Sequence, residues 1–287
     1  MNNQTALSKI LSFFLVKIII GIAVIGVSVF IIESLRKLLL DPTSLTDNTK
    51  SIITAIADSL AALFSYIFLF KFYEKRKIQE LSLSAFGKSS VIGFITGLAL
   101  QSVFVLVIYL LGKYSIEQIN PASFLLPALA ASLTAGFVAE ILIVGVFFRL
   151  TEEKLGTIIT LLICFIFFIV MHVNVKGATP ISVLSTAIQA GILLPAIYIF
   201  SRNLWLPIFL HFAWDFAEPG IFGGVNPGIS IDKSLFTSKI SGATFLSGGE
   251  MGPQNSIQSL LFCSIVAFIF LRLAKQKKHF IKPFWKK

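Results

Sequence analysis

Four ionisable side chains that could do chemistry stand inside long apolar stretches of this sequence. They are Glu140, His172, His211 and Asp215. An ionisable group inside a membrane costs at least a few kcal/mol, so each one requires an explanation. A carboxylate can act as a general base, and an imidazole can position water, carry a proton or donate a hydrogen bond to a developing oxyanion. Together the four side chains predict a site that activates water.

The spacing of these residues predicts that they meet. His211 and Asp215 are four residues apart, which places them on one face of a helix and about 6 Å apart along its axis. Glu140 is expected about 14 Å, and His211 about 12 Å, from the same membrane face. His172 is expected about 20 Å from that face, unless its helix is kinked or begins early. The prediction is convergence of side chains from three separate helices.

The same residues leave other interpretations open. Glu140, His172 and His211 form a set that could hold a divalent metal, as two histidines and a glutamate do in some zinc sites. The helical HExxH signature that usually accompanies such a set does not occur in the sequence, so whether the protein uses a cofactor stays open. Each histidine alone could also be a hydrogen-bonded core residue.

The elements that must position this site are membrane helices. The 287 residues are 56% hydrophobic and 13% charged, whereas a soluble domain has about 25% charged residues. This composition excludes an ordinary cytosolic enzyme, a disordered protein and a nucleic-acid-binding module, despite the net charge of +10. A span needs about 20 apolar residues, and eight stretches qualify. They are roughly 10–32, 51–72, 89–112, 122–149, 157–174, 180–200, 203–219 and 256–273. The predicted fold class is an all-α polytopic membrane protein with about eight transmembrane helices.

The distribution of basic residues predicts the orientation of the chain. The two sets of alternate connections carry 16 and 7 Lys and Arg residues, which favours a multi-pass protein with both termini in the cytoplasm. The first apolar run is interpreted as a retained span. Residues 274–287 are expected to form a basic tail on anionic lipid headgroups. Lys17 is expected to reach the cytoplasmic interface, and Asp58 is expected to pair with Lys17 or with a backbone group.

Three other features carry expectations. The glycine- and proline-rich connection 217–255 is either a lid or re-entrant segment over a cavity, or a flexible connector. Glu152 and Glu153 are expected in a loop. Cys164 and Cys263 lie in apolar runs and are expected to be small buried hydrophobic residues rather than a disulfide pair.

With these motifs the sequence resembles the CPBP family of intramembrane proteases, which comprises CAAX proteases and bacteriocin-processing enzymes and is also called Abi. Three ordered motifs carry that family: EExxxR, FxxxH, and HxxxN or HxxxD. The segments of this sequence that correspond to the three motifs are, in order, Ala139-Glu140 followed by Gly145, Phe168 to His172, and His211 to Asp215. The resemblance covers about 122–256. It divides the chain into three N-terminal spans (1–121), a protease core (122–273) and the tail (274–287).

The resemblance implies a helical membrane fold with a cavity open to the bilayer, and a peptide or protein substrate associated with the membrane. In the family the first-motif glutamate activates water with the second-motif histidine, and the third motif binds the oxyanion. His172 would then orient water, and His211 and Asp215 would flank the scissile carbonyl. The first motif departs from the pattern, because Ala139 replaces its first glutamate and Val144 its arginine.

Three functions follow as hypotheses. The first is an intramembrane endopeptidase of the CAAX-protease or bacteriocin-processing type, with water activated by glutamate and histidine; Glu140 would serve as the base only if its helix were rotated or deformed. The second is a non-catalytic member of the family, acting as a membrane binding, scaffold or bacteriocin-immunity protein. The third is a transporter or proton-coupled channel, which is disfavoured because the sequence lacks paired halves.

Overall fold

Long apolar runs become helices here because a backbone in lipid must satisfy its own hydrogen bonds. The structure is a computed structural model, which describes residues 13–226 and 233–286. Within these residues six helical segments are long and apolar enough to cross a membrane. They are Phe14–Leu39, Asp47–Tyr73, Leu83–Leu110, Ala122–Leu155, Pro180–Ser201 and Ile257–Gln276. The protein is therefore an all-α polytopic integral membrane protein.

The predicted count of eight spans is not confirmed. Two of the predicted spans correspond to shorter helices, Thr157–His172 with 16 residues and Trp205–Phe216 with 12 residues. The start predicted for the first span, near residue 10, and the N-terminal segment before it lie largely outside the described residues.

The helices are numbered in chain order. They are α1 (Phe14–Leu39), α2 (Asp47–Phe68), α3 (Leu83–Leu110), α4 (Leu125–Glu140), α5 (Arg149–Leu155), α6 (Thr157–His172), α7 (Pro180–Ile188), α8 (Leu194–Ser201), α9 (Trp205–Phe216), α10 (Thr244–Ser247) and α11 (Ile257–Gln276). The π-helical segments are Leu69–Tyr73, Ile141–Phe148, Gln189–Leu193 and Ala217–Ile221. Short 3₁₀ turns are Ala122–Phe124, Gly249–Met251, Pro253–Asn255 and Phe284–Lys286. Several helix starts are capped; Thr179, for example, forms a capping box with Ser182 around Pro180.

A small antiparallel sheet is an addition that the sequence did not predict. Strand β1 (Tyr114–Ile119) pairs with β2 (Phe236–Ile240), with Tyr114 opposite Ile240 and an irregular register between Ile116 and Gln118. The pairing joins the connection after α3 to the connection after α9. It therefore holds part of the 217–255 segment in place.

Helix α9 is packed closely between α3 and α4. Small residues allow two helix backbones to approach each other. A Cβ at Gly97 of α3 would lie 3.0 Å from the Cβ of Ala213, and a Cβ at Gly136 of α4 would lie 2.9 Å from the Cβ of Phe212. Because these glycines admit α9 to the centre of the bundle, the histidine and aspartate on that helix lie deep in the protein.

A network of ion pairs joins α2, α5 and the connection between α2 and α3. Arg149 is buried and contacts Glu74 Oε2 at 3.4 Å, and Arg76 Nε contacts the same oxygen at 3.2 Å. Arg76 and Tyr66 both donate hydrogen bonds to Glu80 Oε1. Burial alone would raise the pKa of Glu80, but these hydrogen bonds outweigh burial and hold the pKa below its usual value.

Two of the expected placements of charged residues are wrong, namely the pairing of Lys17 with Asp58 and the loop position of Glu152 and Glu153. Lys17 does not pair with Asp58 but binds Glu74 Oε1 at 2.9 Å, and the buried Asp58 Oδ1 has no hydrogen-bond partner among the described residues. Glu152 and Glu153 lie in α5 rather than in a loop, because the helix of the fourth span continues without a break through a π-helical segment. The two cysteines are free and buried, as predicted.

The C-terminal segment is docked against the helix ends. The backbone of Ile281 exchanges hydrogen bonds with Thr157: its N–H donates to Thr157 Oγ1 at 2.8 Å, and its carbonyl accepts from Thr157 N–H at 3.0 Å. Arg202 donates to the carbonyl oxygen of His279 and to Glu152 Oε2 at 2.5 Å. Residues 279–281 are thus held by the start of α6 and the end of α8, and the contact of the basic tail with lipid headgroups stays a prediction.

Candidate active site

One cavity of about 310 Å³ lies between α4, α6, α7 and α9. Three of the four predicted site residues line it, namely His172, His211 and Asp215. The fourth, Glu140, does not line it, and its neighbour Ala139 does. The cavity therefore brings residues of the second and third motifs together, and it has an alanine methyl group at the first position of the first motif.

His211 lies between two carboxylates. Its Nδ1 is 2.8 Å from Glu140 Oε1, and its Nε2 is 3.3 Å from Asp215 Oδ2. Because a carboxylate only accepts hydrogen bonds, this geometry fits an imidazolium that donates from both ring nitrogens. Asn226 Nδ2 donates to the other oxygen of Asp215 at 3.0 Å. The third-motif pair is thus held from two sides.

Glu140 reaches the cavity only through His211. Adjacent helical residues are rotated by about 100°, so when Ala139 faces the cavity Glu140 faces α9. The Glu140 side chain is 3% exposed, and its Oε2 has no hydrogen-bond partner among the described residues. Glu140 is therefore placed to fix the orientation of an imidazole rather than to contact a molecule in the cavity.

His172 is the last residue of α6 and has a defined tautomer. Its Nδ1 lies 3.0 Å from the carbonyl oxygen of Phe168. A carbonyl oxygen only accepts, so Nδ1 carries the hydrogen, and a neutral ring leaves a lone pair on Nε2. The C-terminal end of a helix also favours a positive charge. His172 thus has the chemistry of a base that can take a proton from water.

Irregular helix segments border the cavity. The π-helical segment Ile141–Phe148 begins directly after Glu140, and Ala217–Ile221 begins two residues after Asp215. A third, Gln189–Leu193, contributes to the lining. Such segments often occur at functional sites, because an inserted residue rotates the side chains that follow it. Hydropathy does not distinguish a π-helical segment from an α-helix, so these segments could not be predicted.

Sequence reasoning missed a polar wall of the cavity. Gln189, Asn226, Gln254 and Asn255 line it, and they do not ionise, so a search for charged residues in apolar runs passes over them. The signal that could have found Gln254 and Asn255 is the late run of glycines and amides that ends the 217–255 connection. Met251, Gln254 and Asn255 are buried against the helices, so this part of the connection is a wall of the cavity and not a flexible connector. Residues 227–232 of the connection lie outside the described part of the chain.

The candidate metal ligands do not form a ligand set. Among the described residues, no three His, Cys, Asp or Glu side chains are grouped so that they could hold a metal ion. Both ring nitrogens of His211 already face carboxylates, and Nδ1 of His172 faces a carbonyl. The arrangement fits acid–base chemistry by the side chains themselves.

The fold and the cavity define a polytopic membrane protein with an acid and histidine site inside its helix bundle. Residues 121–217 match the family described as type II CAAX prenyl endopeptidase Rce1-like. This match contains all four predicted site residues. It confirms the resemblance to the CPBP family of intramembrane proteases and supports a type II CAAX endopeptidase at the level of the family. No curated protein and no solved structure matches the chain.

Proposed function

We propose that this protein is an intramembrane endopeptidase of the CAAX-protease or bacteriocin-processing type, with both termini in the cytoplasm. Its substrate is a membrane-associated peptide or protein, such as a prenylated C-terminus or a small leader peptide. The observation that carries the proposal is that His172 shares one cavity with His211 and Asp215. Nε2 of His172 has no hydrogen-bond partner among the described residues, and His211 is held by Glu140 from outside the cavity.

In the proposed reaction His172 is the general base. Its Nε2 takes a proton from a water molecule while the water oxygen bonds to the carbonyl carbon of the scissile peptide. The carbonyl π electrons move to oxygen and form an oxyanion. When the oxyanion collapses, the C–N bond breaks, and the leaving amine takes the proton from His172. The products are one carboxylic acid, which becomes a carboxylate when it loses its proton to water, and one amine, and the histidine is regenerated.

His211 and Asp215 are proposed to stabilise the oxyanion. A protonated His211 faces the cavity beside Asp215, and a positive donor near the developing negative charge lowers the barrier. Glu140 is proposed as a positioning residue, because it contacts His211 Nδ1 and not the cavity. In this proposal His172 takes over the activation of water that the family's first-motif glutamate performs, because Ala139 stands at the position of that glutamate.

A cleavage assay with matched histidine variants tests this function. The purified protein in nanodiscs is incubated with a prenylated peptide of CAAX type and with small leader peptides. His172→Gln is expected to lower kcat by about 10²- to 10⁴-fold, the usual contribution of a general base. His279→Gln is the control, because that ring binds the carbonyls of Ile199 and Phe200 away from the cavity. Full activity in His172→Gln would overturn the assignment.

A second candidate function is supported by one observation, the methyl group of Ala139 on the cavity wall. A family member without a carboxylate at that place could bind a peptide without cutting it, as a membrane binding, scaffold or bacteriocin-immunity protein. This candidate predicts no product from the wild type and the appearance of product in Ala139→Glu. Val144→Arg is a poor companion for that test, because Val144 is fully buried in the hydrophobic core, where a charged side chain is costly.

A further inference from the structure

Gln254 is a cavity residue that lies outside all three family motifs. It belongs to the 3₁₀ turn Pro253–Asn255 and is 8% exposed. Its backbone N–H donates to Glu218 Oε1 at 3.0 Å, and its carbonyl accepts from Gln189 Nε2 at 2.5 Å and from Ser185 Oγ at 3.0 Å. The backbone of Gln254 is therefore fixed between α7 and the segment after α9.

The side-chain amide of Gln254 is fixed as well. Trp214 Nε1 lies 2.7 Å from Gln254 Oε1. An indole nitrogen only donates, so the amide oxygen must face Trp214, and the NH₂ group must point the other way. Among the described residues Nε2 of Gln254 has no hydrogen-bond partner. It is also not one of the polar atoms that are buried out of reach of solvent without a partner. Because Gln254 lines the cavity, its two N–H donors are available there.

Gln189 complements this arrangement on the same cavity. Its Nε2 donates to the carbonyl oxygen of Gln254 at 2.5 Å and lies 2.8 Å from both Ser185 Oγ and Ser259 Oγ, either of which can accept its second hydrogen. Its Oε1 therefore points away from these partners and has none among the described residues. The two glutamines offer one donor group and one acceptor. A peptide unit offers one N–H and one C=O, so the two patterns match.

We propose that Gln254 and Gln189 bind the backbone of the peptide substrate. Gln254 Nε2 donates to one backbone carbonyl oxygen, and Gln189 Oε1 accepts from a backbone N–H. This inference rests on the proposed function for the identity of the ligand as a peptide. Recognition of the backbone leaves side-chain preference to the apolar part of the lining, which includes Leu193, Leu194 and Leu210.

The test is equilibrium binding of peptides that each lack one backbone carbonyl, replaced by a methylene group. The probe is a fluorescent peptide of CAAX type and its analogues, bound to the protein in nanodiscs. In the wild type one analogue is expected to bind about 3- to 10-fold more weakly than the parent, the effect of a single hydrogen bond. In Gln254→Met the parent is expected to bind as weakly as that analogue, and the difference between the two disappears.

Two further variants keep the test decisive. Gln258→Met is the matched control, since Gln258 is a buried glutamine of α11 whose Nε2 donates to the carbonyl of Leu246 at 2.7 Å, away from the cavity; it should retain the wild-type pattern. If Gln254→Met does not fold because Trp214 loses its acceptor, the double variant Trp214→Phe with Gln254→Met removes both partners and replaces the single variant.

The outcomes separate this inference from the proposed function, because binding requires no bond cleavage. Loss of the carbonyl difference in Gln254→Met, with a wild type that binds but does not cleave, supports the inference and overturns the endopeptidase. Cleavage by the wild type, with an unchanged carbonyl difference in Gln254→Met, overturns the inference alone. Failure of the wild type to bind any peptide of the set also overturns it.

Discussion

Replacing Glu140 by glutamine separates a positioning residue from a general base. In the wild type His211 Nδ1 lies 2.8 Å from Glu140 Oε1. Glu140→Gln keeps the shape of the side chain and an oxygen that can accept a hydrogen bond from His211 Nδ1, but it removes the negative charge. A hydrogen bond to a charged group contributes about 1.5–3 kcal/mol and a neutral one about 0.5–1.5 kcal/mol. The difference is about 1–1.5 kcal/mol. At 1.36 kcal/mol for each factor of ten, kcat should fall about 5- to 12-fold.

The competing assignment predicts a much larger loss. If Glu140 were the base, the same substitution would lower kcat by about 10²- to 10⁴-fold. The assay is steady-state cleavage of a prenylated peptide in nanodiscs, with kcat and KM determined separately. KM should change little, because Glu140 does not line the cavity. Glu117→Gln on the exposed strand β1 is the control and should behave as the wild type.

A loss in kcat of more than 10³-fold in Glu140→Gln, together with near-normal turnover in His172→Gln, would refute the positioning role of Glu140. That result would require Glu140 to reach the water directly, and hence a rotation of α4 that moves Ala139 away from the cavity. A merely structural role for Glu140 would lower the melting temperature and the amount of folded protein, whereas the positioning role lowers kcat at constant folded concentration.

Three predictions concern stability. Gly97→Ala places a new Cβ 3.0 Å from Ala213 Cβ and should destabilise the protein by about 1–3 kcal/mol. Gly87→Ala, on the same helix, adds a Cβ that meets nothing within 4 Å and should not destabilise it. Equal melting temperatures of the two variants would contradict the packing of α3 on α9. Arg202→Gln leaves the fully buried Glu152 without its cation. The free energy of unfolding should fall by about 2–3 kcal/mol, less than for a fully buried pair because Arg202 is partly exposed. Arg272→Gln is the control, and an unchanged melting temperature in Arg202→Gln would refute the docking of the C-terminal segment. The pKa of Glu80 is lowered in the folded protein, so the stabilisation by its charged form is complete above the unfolded pKa, near 4.5, and is lost as the pH falls through the lower folded pKa. On acidification the melting temperature of the wild type should therefore fall more steeply than that of Glu80→Gln. Parallel falls in the two melting temperatures would contradict the ion pairing of Glu80.

Much of the fold could be predicted from composition alone. A run of about 20 apolar residues has few alternatives to a membrane helix, and the six long helices occur where such runs do. The short strands of the sheet could not be predicted, because five or six residues of mixed polarity are typical of any loop. The length of α9 was overestimated for a related reason. Its 12 residues pass into a π-helical segment at Ala217, and hydropathy does not distinguish the two.

The candidate site was predictable in its members and not in their roles. Equal depth, read from residue counts, predicted that Glu140 would be near His211, and the two are 2.8 Å apart. Which side of α4 faces the cavity depends on the rotation of that helix. Only the structure could therefore show that Ala139, and not Glu140, lines the cavity. The polar wall around Gln254 depends on a loop that folds back between helices. The run of glycines and amides marks this loop in the sequence, but the helices against which it packs cannot be predicted from that run.

Hydrolysis in ¹⁸O-labelled water measures most directly whether His172 activates water inside the helix bundle. A prenylated CAAX-type peptide is incubated with the protein in nanodiscs, and the new C-terminus is analysed by mass spectrometry. One ¹⁸O atom is expected in the product of the wild type and of Glu140→Gln, and His172→Gln is expected to form this product about 10²- to 10⁴-fold more slowly than the wild type. Labelled product at the wild-type rate from His172→Gln, or no labelled product from the wild type, would contradict water activation by His172.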